Sequence, residues 1–158
     1  MDINTLDPIV PNSSLGGLRL RTHMSDMPEL FRGLGITTLG SYGMASPFEA
    51  RYLFGDGSVQ ASVDVRNGRI FKLIASKSYQ GRFGAIRVGM LVRDALLADT
   101  RLYYSEAEEC ILCRGVRGIT LNVSAIDPDW SQVPWLPISD ITVYAVEIET
   151  LEGQEGHW

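Results

Sequence analysis

The sequence predicts an α+β fold in which a helix and a three-stranded antiparallel meander occur twice in tandem, forming one curved sheet with the helices on one face. Two observations predict it. Dipeptides that favour tight hairpins separate runs of alternating apolar residues, and a short motif recurs at a fixed offset. The 158 residues are expected to form a single domain, 1–158, built of two repeats at roughly 14–78 and 82–149.

The recurring motif has the pattern Gly-x-[Leu/Ile]-Arg-[Leu/Val]. It occupies residues 16–20 and again residues 84–88, which is an offset of 68 residues. An apolar residue follows four positions after each copy, Met24 in the first and Val92 in the second, and an aspartate comes two positions later. We therefore expect each copy to begin one structural unit.

A short helix is expected after each copy of the motif. Ser25 or Asp26 can cap the first helix, with Pro28 in its first turn and Gly33 at its end. The second helix is expected over residues 92–98, a segment rich in apolar residues.

In the first repeat, three alternating runs predict strands over residues 48–54, 59–65 and 70–75. Asp56–Gly57 lies between the first two runs and Asn67–Gly68 between the last two. Both dipeptides favour the positive φ that a two-residue hairpin requires. The first repeat is therefore expected to contain a β-meander.

In the second repeat, strands are expected over residues 106–113, 118–123 and 138–147. The last two are joined by residues 124–137, a long loop where the first repeat needs only a tight turn. A second insertion, residues 36–47, follows the first helix.

These two insertions hold the candidate partner-binding residues, because the fold alone does not require them. Exposed aromatic side chains that are flanked by aspartates and stiffened by prolines resemble interface anchors. The alternative, that the loop tryptophans fold back over the core, has similar weight. The predicted partner-binding residues are Asp127, Asp129, Trp130, Trp135 and Asp140, together with Tyr42 and Met44 of the second insertion.

Catalytic chemistry is not expected. The two histidines, His23 and His157, have no nucleophile in a recognisable motif around them. No phosphate loop, dinucleotide motif or metal-ligand pattern occurs, so no cofactor and no metal are predicted. Cys110 and Cys113 form a CxxC pair, but their flanks indicate a strand and a turn, which favours structural thiols over redox chemistry.

Charge and composition favour a protein partner. The net charge of −5 and the pI near 5.0 argue against nucleic acid and suit a basic protein surface. Carboxylates on the predicted strands are interpreted either as a solvated face or as an acidic patch for such a partner; they are Glu106, Glu108, Glu109, Glu147 and Glu149. The N-terminus lacks the basic and apolar regions of a signal peptide, and no run is long enough to span a membrane, so a cytoplasmic location is expected.

Two segments resemble the signatures of small bacterial immunity proteins that are encoded beside polymorphic toxins. They are residues 9–20 (Ile-Val-Pro-Asn-Ser-Ser-Leu-Gly-Gly-Leu-Arg-Leu) and residues 79–89, which begin with Tyr-Gln-Gly and end with Gly-Ala-Ile-Arg-Val-Gly. The duplicated plan also resembles that of the β-lactamase inhibitor protein. One departure is that Arg21 stands where the second copy has Gly89, so the first turn is expected to be non-standard.

This resemblance implies inhibition by occlusion. The chain would be a monomer or homodimer that covers the active site of a contact-delivered or type VI secreted toxin acting in the cytoplasm, such as a basic nuclease. A competing interpretation is a small-ligand or regulatory module whose concave sheet face has an apolar pocket lined by Tyr52, Phe71 and Tyr144. A third is an enzyme of unknown type that uses His23 or the carboxylates. A lesser candidate groove is formed by Tyr79, Arg82 and Phe83.

Overall fold

The computed structural model describes residues 3–31 and 43–158 and shows an α+β fold. Its main element is an eight-stranded antiparallel sheet, accompanied by a two-stranded hairpin and short helices. In chain order, the elements are β1 (Ser14–Leu15), β2 (Leu18–Arg19), a 3₁₀ turn (Met24–Asp26), α1 (helical residues 28–31), β3 (Gly43–Ser46), β4 (Glu49–Phe54), β5 (Val59–Asp64), β6 (Arg69–Ala75), α2 (Val92–Ala98), β7 (Leu102–Ser105), β8 (Cys110–Cys113), β9 (Val116–Asn122), a 3₁₀ turn (Val133–Trp135), β10 (Asp140–Tyr144), a 3₁₀ turn (Val146–Glu149) and α3 (Leu151–Gln154).

The strand order in the large sheet is β3-β4-β5-β6-β10-β9-β8-β7. Strands β3 to β6 therefore form one side of the sheet and β7 to β10 form the other. The two sides meet where β6 pairs with β10, with Leu73 opposite Val143 and Ala75 opposite Ile141. All four of these side chains are buried, so the junction lies in the core.

In the described residues each side of the large sheet contains four strands instead of the predicted three, because β3 and β7 were not predicted. Residues 106–113, predicted to be one strand, are a turn followed by β8, because Glu109 has a left-handed φ of 51° that ends the extended run. The predicted strand 138–147 is also too long, since β10 ends at Tyr144 and a 3₁₀ turn follows.

Hairpins occur at both predicted positions, but each is closed by four residues rather than two, and only the glycine of each dipeptide has a positive φ. Gly57 in the β4–β5 turn has a φ of 88°, and Gly68 in the β5–β6 turn has a φ of 72°. A Cβ atom on Gly68 would clash with the ring of His23, so a larger residue in this turn would displace that side chain as well as strain the backbone. His23 also accepts a hydrogen bond from the Ser25 backbone N–H and caps the 3₁₀ turn there.

The helix over residues 92–98 is confirmed as α2. The first predicted helix is described as far as Phe31, and its expected end at Gly33 lies outside the described residues. The expectation that Ser25 or Asp26 caps this helix is wrong, since both belong to the preceding 3₁₀ turn.

One face of the large sheet carries the hydrophobic core. Residues that oppose each other in neighbouring antiparallel strands share a face, and the buried row Val59, Ala75, Ile141 and Leu121 crosses four strands in this way. The core also includes Leu15 and Leu18 of the hairpin, Phe31 of α1, and Val92 and Ala95 of α2. The opposite face is largely polar, and α3 lies against part of it.

The turn at Arg21 has the same backbone conformation as the turn at Gly89, so the expectation of a non-standard first turn is wrong. Arg21 has a φ of 71° and Gly89 has a φ of 91°, so both turns use the same left-handed backbone. The N–H of Arg21 donates to the carbonyl of Ile70, and the N–H of Gly89 donates to that of Ile138, again at an offset of 68. A non-glycine residue in this region is strained, so other contacts must hold Arg21 there.

Those contacts come from Glu147 and Asn12. The Arg21 guanidinium donates to both carboxylate oxygens of Glu147 at 2.9 and 2.8 Å, and to the Asn12 carbonyl at 2.8 Å. Asn12 Oδ1 also accepts the backbone N–H of Val146. This cluster ties the N-terminal hairpin to the segment that follows β10. Glu147 is therefore not part of a free acidic face.

Tyr79 joins the linker between the two halves to the N-terminal residues. Its hydroxyl donates to the Asp7 carbonyl at 2.7 Å and accepts the Gly16 N–H at 2.8 Å. The side chain is buried, and burial raises the pKa of Tyr79 to about 12, so the hydroxyl keeps its proton. The expectation that Tyr79 lines a groove is wrong.

We expect Tyr79→Phe to lower the free energy of unfolding by about 1–3 kcal/mol, because the buried Gly16 N–H loses its acceptor. Urea unfolding followed by tryptophan fluorescence measures this. The matched control is Tyr103→Phe, whose hydroxyl forms no hydrogen bond among the described residues and which should change stability by less than about 0.5 kcal/mol. Equal effects of the two substitutions would contradict this role for Tyr79.

We expect the contribution of Glu147 to depend on pH. The Arg21 hydrogen bonds lower the pKa of Glu147 below its ordinary 4.5. The unfolded chain therefore binds more protons than the folded chain in this range, so the stabilisation is present above pH 4.5 and lost as the pH falls through the folded value.

Glu147→Gln should cost on the order of 1 kcal/mol at neutral pH and progressively less below pH 4.5. Unfolding free energies measured at several pH values check this, with the exposed Glu152→Gln as control. A cost for Glu147→Gln that is independent of pH would contradict the ion pair as its source.

Candidate protein-binding surface

The loop between β9 and β10 is anchored to the second helix. Its 3₁₀ turn buries Val133, and Pro137 pairs with Leu91 just before α2. The Leu136 carbonyl accepts the N–H of Val92, the first residue of α2. These bonds fix the backbone of the C-terminal part of the loop, which restricts the positions of its side chains.

Both loop tryptophans are exposed. Trp130 is 64% exposed and Trp135 is 63% exposed, so neither folds back over the core. The Arg93 guanidinium carbon lies 4.7 Å from the centroid of the Trp135 ring, an arrangement that holds the ring by a cation–π contact. Leu97, one helical turn after Arg93, is 81% exposed and extends the apolar part of this surface.

Sequence reasoning did not identify Arg93 or Leu97. The available signal was that Leu97 is an apolar residue four positions after a charged one, on the face of α2 opposite to buried Val92 and Ala95.

The predicted aspartates lie on the same loop and at the start of β10. Asp129 Oδ1 accepts the Ser131 N–H at 3.0 Å, and Asp127 has a left-handed φ of 45°. Asp140 accepts from Asn122 Nδ2 at 2.6 Å and from the Ser139 hydroxyl at 3.2 Å. Because both donors are neutral groups, they do not offset the negative charge of the Asp140 carboxylate.

The β7–β8 turn brings further carboxylates to this loop. The pKa of Tyr104 is raised, first by desolvation and then by neighbouring groups that include the carboxylates of Glu109, Asp127 and Glu106. Asp127 therefore lies close enough to the turn to act on the same hydroxyl. Residues that are separate in the sequence form one acidic region.

Ion pairs neutralise carboxylates elsewhere in the structure. Glu147 pairs with Arg21, Asp64 with Arg66 and Glu149 with Arg117. Within residues 3–31 and 43–158, no such pair reaches the acidic region formed by Glu106, Glu108, Glu109, Asp127, Asp129 and Asp140. These six carboxylates, together with Trp130 and Trp135, are called the acidic aromatic surface below.

The second insertion is not brought to this surface. Tyr42 lies outside the described residues. Met44 belongs to β3 and pairs with Ala50, and its side chain is not described. Strand β3 is an edge strand four positions from β10 in the sheet, a distance of about 19 Å at ordinary strand spacing.

The two histidines have local structural contacts. His23 caps a turn and its ring lies against Gly68, and His157 lies beside Glu155. Cys110 and Cys113 are buried on opposite faces of β8, and burial, together with the charge of Glu108, raises the pKa of Cys110 to about 11. Among the residues that the structure describes, no three His, Cys, Asp or Glu side chains are placed to hold a metal ion.

The apolar pocket expected on the sheet is also wrong. Tyr52 opposes Ala61 on the core face and its ring lies against Phe31, whereas Tyr144 opposes Lys72 on the polar face. The polar face has instead an open trough of about 530 Å³. Most of the residues that line it carry polar groups.

Comparisons with known proteins assign neither a family nor a function to this chain. No protein-family model and no curated protein sequence matches the chain. Among solved structures, a cysteine-rich secretory protein from Staphylococcus aureus is similar over 96% of this chain and 53% of its own, with 13% identity and a TM-score of 0.44. The chain thus spans about half the length of that protein, and nothing about function is carried over. No helix in the described part of the chain is long and apolar enough to cross a membrane.

We expect cationic quenchers to reach Trp130 more effectively than anionic ones, because the surrounding carboxylates attract the former and repel the latter. In a variant that keeps Trp130 alone (Trp135→Phe, Trp158→Phe), caesium should quench fluorescence more than iodide does, after correction for free tryptophan, and the difference should shrink in high salt.

The control keeps Trp158 alone. Its ring is half-buried beside Phe71, its indole N–H donates to Asp64, and Arg69 binds its carbonyl. A preference for caesium of the same size in both variants would contradict a local acidic field at Trp130.

Proposed function

We propose that this chain is an immunity protein that binds a bacterial toxin and inhibits it by covering its active site. The observation that carries the proposal is the acidic aromatic surface, in which one loop carries two exposed tryptophans and two carboxylates without ion-pair partners. Tryptophan is among the side chains that supply most of the binding energy at interfaces. Unpaired carboxylates speed encounter with a basic partner and select against an acidic one.

We further propose that residues 14–78 and 82–149 are two copies of one structural unit. Besides the Arg21 and Gly89 bonds, Leu15 faces Leu18 across a two-residue turn, and Phe83 faces Ile86 in the same way 68 residues later. Each copy would end in the strand that lies at the centre of the sheet.

This duplication sets the binding loop apart from the scaffold. The first unit connects β5 to β6 through residues 65–68, whereas the second connects β9 to β10 through residues 123–139. A segment that one copy does without is not required to build the unit. Its length and its exposed side chains are therefore attributed to recognition.

The acidic surface also supports a class of toxin. An enzyme that cleaves nucleic acid needs a positively charged cleft for its substrate, and such a cleft is complementary to this surface. We therefore favour a cytoplasm-acting nuclease delivered by contact or by type VI secretion, with the chain acting in the cytoplasm of the cell that it protects.

The alternative is a small-ligand or regulatory module that uses the trough on the polar sheet face. Its volume of about 530 Å³ is within the range of small-molecule sites. However, such sites usually enclose their ligand, whereas this trough is open and carries charged side chains at both ends. The alternative is therefore second.

The test uses the secreted-toxin domain encoded beside this chain's gene. Co-expression of the chain should restore growth to cells that express the domain, and the two proteins should form a one-to-one complex. The double substitution Trp130→Ala, Trp135→Ala should weaken the complex by about a hundredfold or more, since each anchor contributes roughly 2 kcal/mol at a hot spot. Calorimetry or surface plasmon resonance measures this.

The matched control is Leu6→Ala, Leu151→Ala, which removes two exposed apolar side chains from other parts of the surface. It should leave affinity and protection unchanged. If the neighbouring gene encodes no toxin, or the toxin kills equally with and without the chain, the function is refuted. If the tryptophan variant binds as tightly as the control, the proposed binding surface is refuted, and the toxin must be bound by a different surface.

A further inference from the structure

The trough on the polar sheet face runs along β10. Residues Lys72 and Tyr144 oppose each other at one end, and Asn122 and Asp140 oppose each other at the other end. Tyr144 and Asp140 are four residues apart on one strand, which separates the two ends by about 13 Å. Between them the floor is low, because Thr142 lies between Ile74 and Thr120.

One end of the trough carries excess positive charge. Arg51 Nη2 and Lys72 Nζ share a single carboxylate oxygen of Glu49, at 3.0 and 3.2 Å. Two cations are thus opposed by one anion, and the same oxygen also accepts the Ser62 hydroxyl at 2.6 Å. The nearby carboxylate of Glu149 is neutralised by Arg117.

The other end carries excess negative charge. Asp140 is held by the neutral donors of Asn122 and Ser139. Glu108 lines the same end and forms no ion pair among the described residues. The trough is therefore dipolar, and its two ends present opposite charges in the open.

The spacing of the ends matches extended polypeptide. In an extended chain, residues i, i+2 and i+4 point to the same side, and i and i+4 are about 13 Å apart. A strand laid along the trough would place its first and fifth side chains at the two charged ends, with its third side chain above the threonine floor. A compact small molecule would not reach both ends.

We propose that the trough binds an extended segment of a protein partner that carries a basic and an acidic side chain four positions apart. The basic side chain lies at Asp140 and Glu108, and the acidic one lies at Arg51 and Lys72. This deepens the proposed function, on which it rests for the partner being a protein. It adds a second contact region beside the acidic aromatic surface, with which the trough shares Asp140 and Glu108.

The test needs no toxin. The probe is the blocked peptide acetyl-Lys-Ser-Thr-Ser-Asp-amide, titrated at low salt into ¹⁵N-labelled protein while amide shifts are recorded by NMR. We expect shifts concentrated in β6, β9 and β10 and a dissociation constant in the range of about 1–10 mM. The peptide acetyl-Asp-Ser-Thr-Ser-Asp-amide, which has acids at both ends, should bind at least about fivefold more weakly.

Asp140→Asn keeps the acceptor for Asn122 but removes the charge, and it should weaken the first peptide by about fivefold. The control is Glu29→Gln, which removes one negative charge from an exposed position on α1 and should leave peptide binding unchanged. Absence of shifts, equal binding of the two peptides, or equal effects of the two variants would overturn the proposal. Any of these results leaves the growth-protection test of the immunity function unaffected.

Discussion

The pairing of β6 with β10 is the interaction on which the rest of the structure depends. It is where the strands from residues 43–75 join those from residues 102–144. Leu73 and Val143 face the core from adjacent strands, while the next pair in the register, Lys72 and Tyr144, faces the polar side. One register thus builds the hydrophobic centre and the floor of the trough together. A slip of one residue would exchange the two faces.

The same pairing positions both candidate surfaces. Strand β10 begins at Asp140, where the long loop returns to the sheet, and ends at Tyr144, beside the cations of β4 and β6. The acidic aromatic surface and the trough therefore meet at Asp140. A partner that contacts the loop with one part of its surface can reach the trough with another.

The sequence was most informative where local chemistry decides the structure. The Asn67–Gly68 turn and helix α2 are set by residues next to each other in the chain, and the positions of both were predicted correctly. The turn within residues 106–113 was missed because Glu109 adopts a left-handed conformation, which glutamate rarely does. The turn at Arg21 was also predicted incorrectly, because the contact that holds its backbone comes from a distant part of the sequence. Its left-handed backbone is held by Glu147, which is 126 residues away.

The candidate site divides in the same way. The loop, its prolines and its aspartates left two interpretations of Trp130 and Trp135, exposed or folded over the core, and the structure shows both side chains exposed. The stacking of Arg93 on Trp135 and the closeness of Asp127 to the β7–β8 turn depend on how distant segments fold together. A pattern within one segment cannot show either. The apolar pocket failed because Tyr52 and Tyr144 lie on opposite faces, which only the register of the strands determines.

The central position of β6 also has a consequence for synthesis on the ribosome. Strand β6 is complete at Ala75, but the strand that covers its free edge does not begin until Asp140. For some 65 residues of translation, the growing chain holds an apolar strand with unsatisfied backbone groups, which is the kind of edge that joins nascent chains to one another. Ribosomes that follow one another on a single message would carry such edges side by side, so pairing between neighbouring nascent chains competes with correct closure of the sheet.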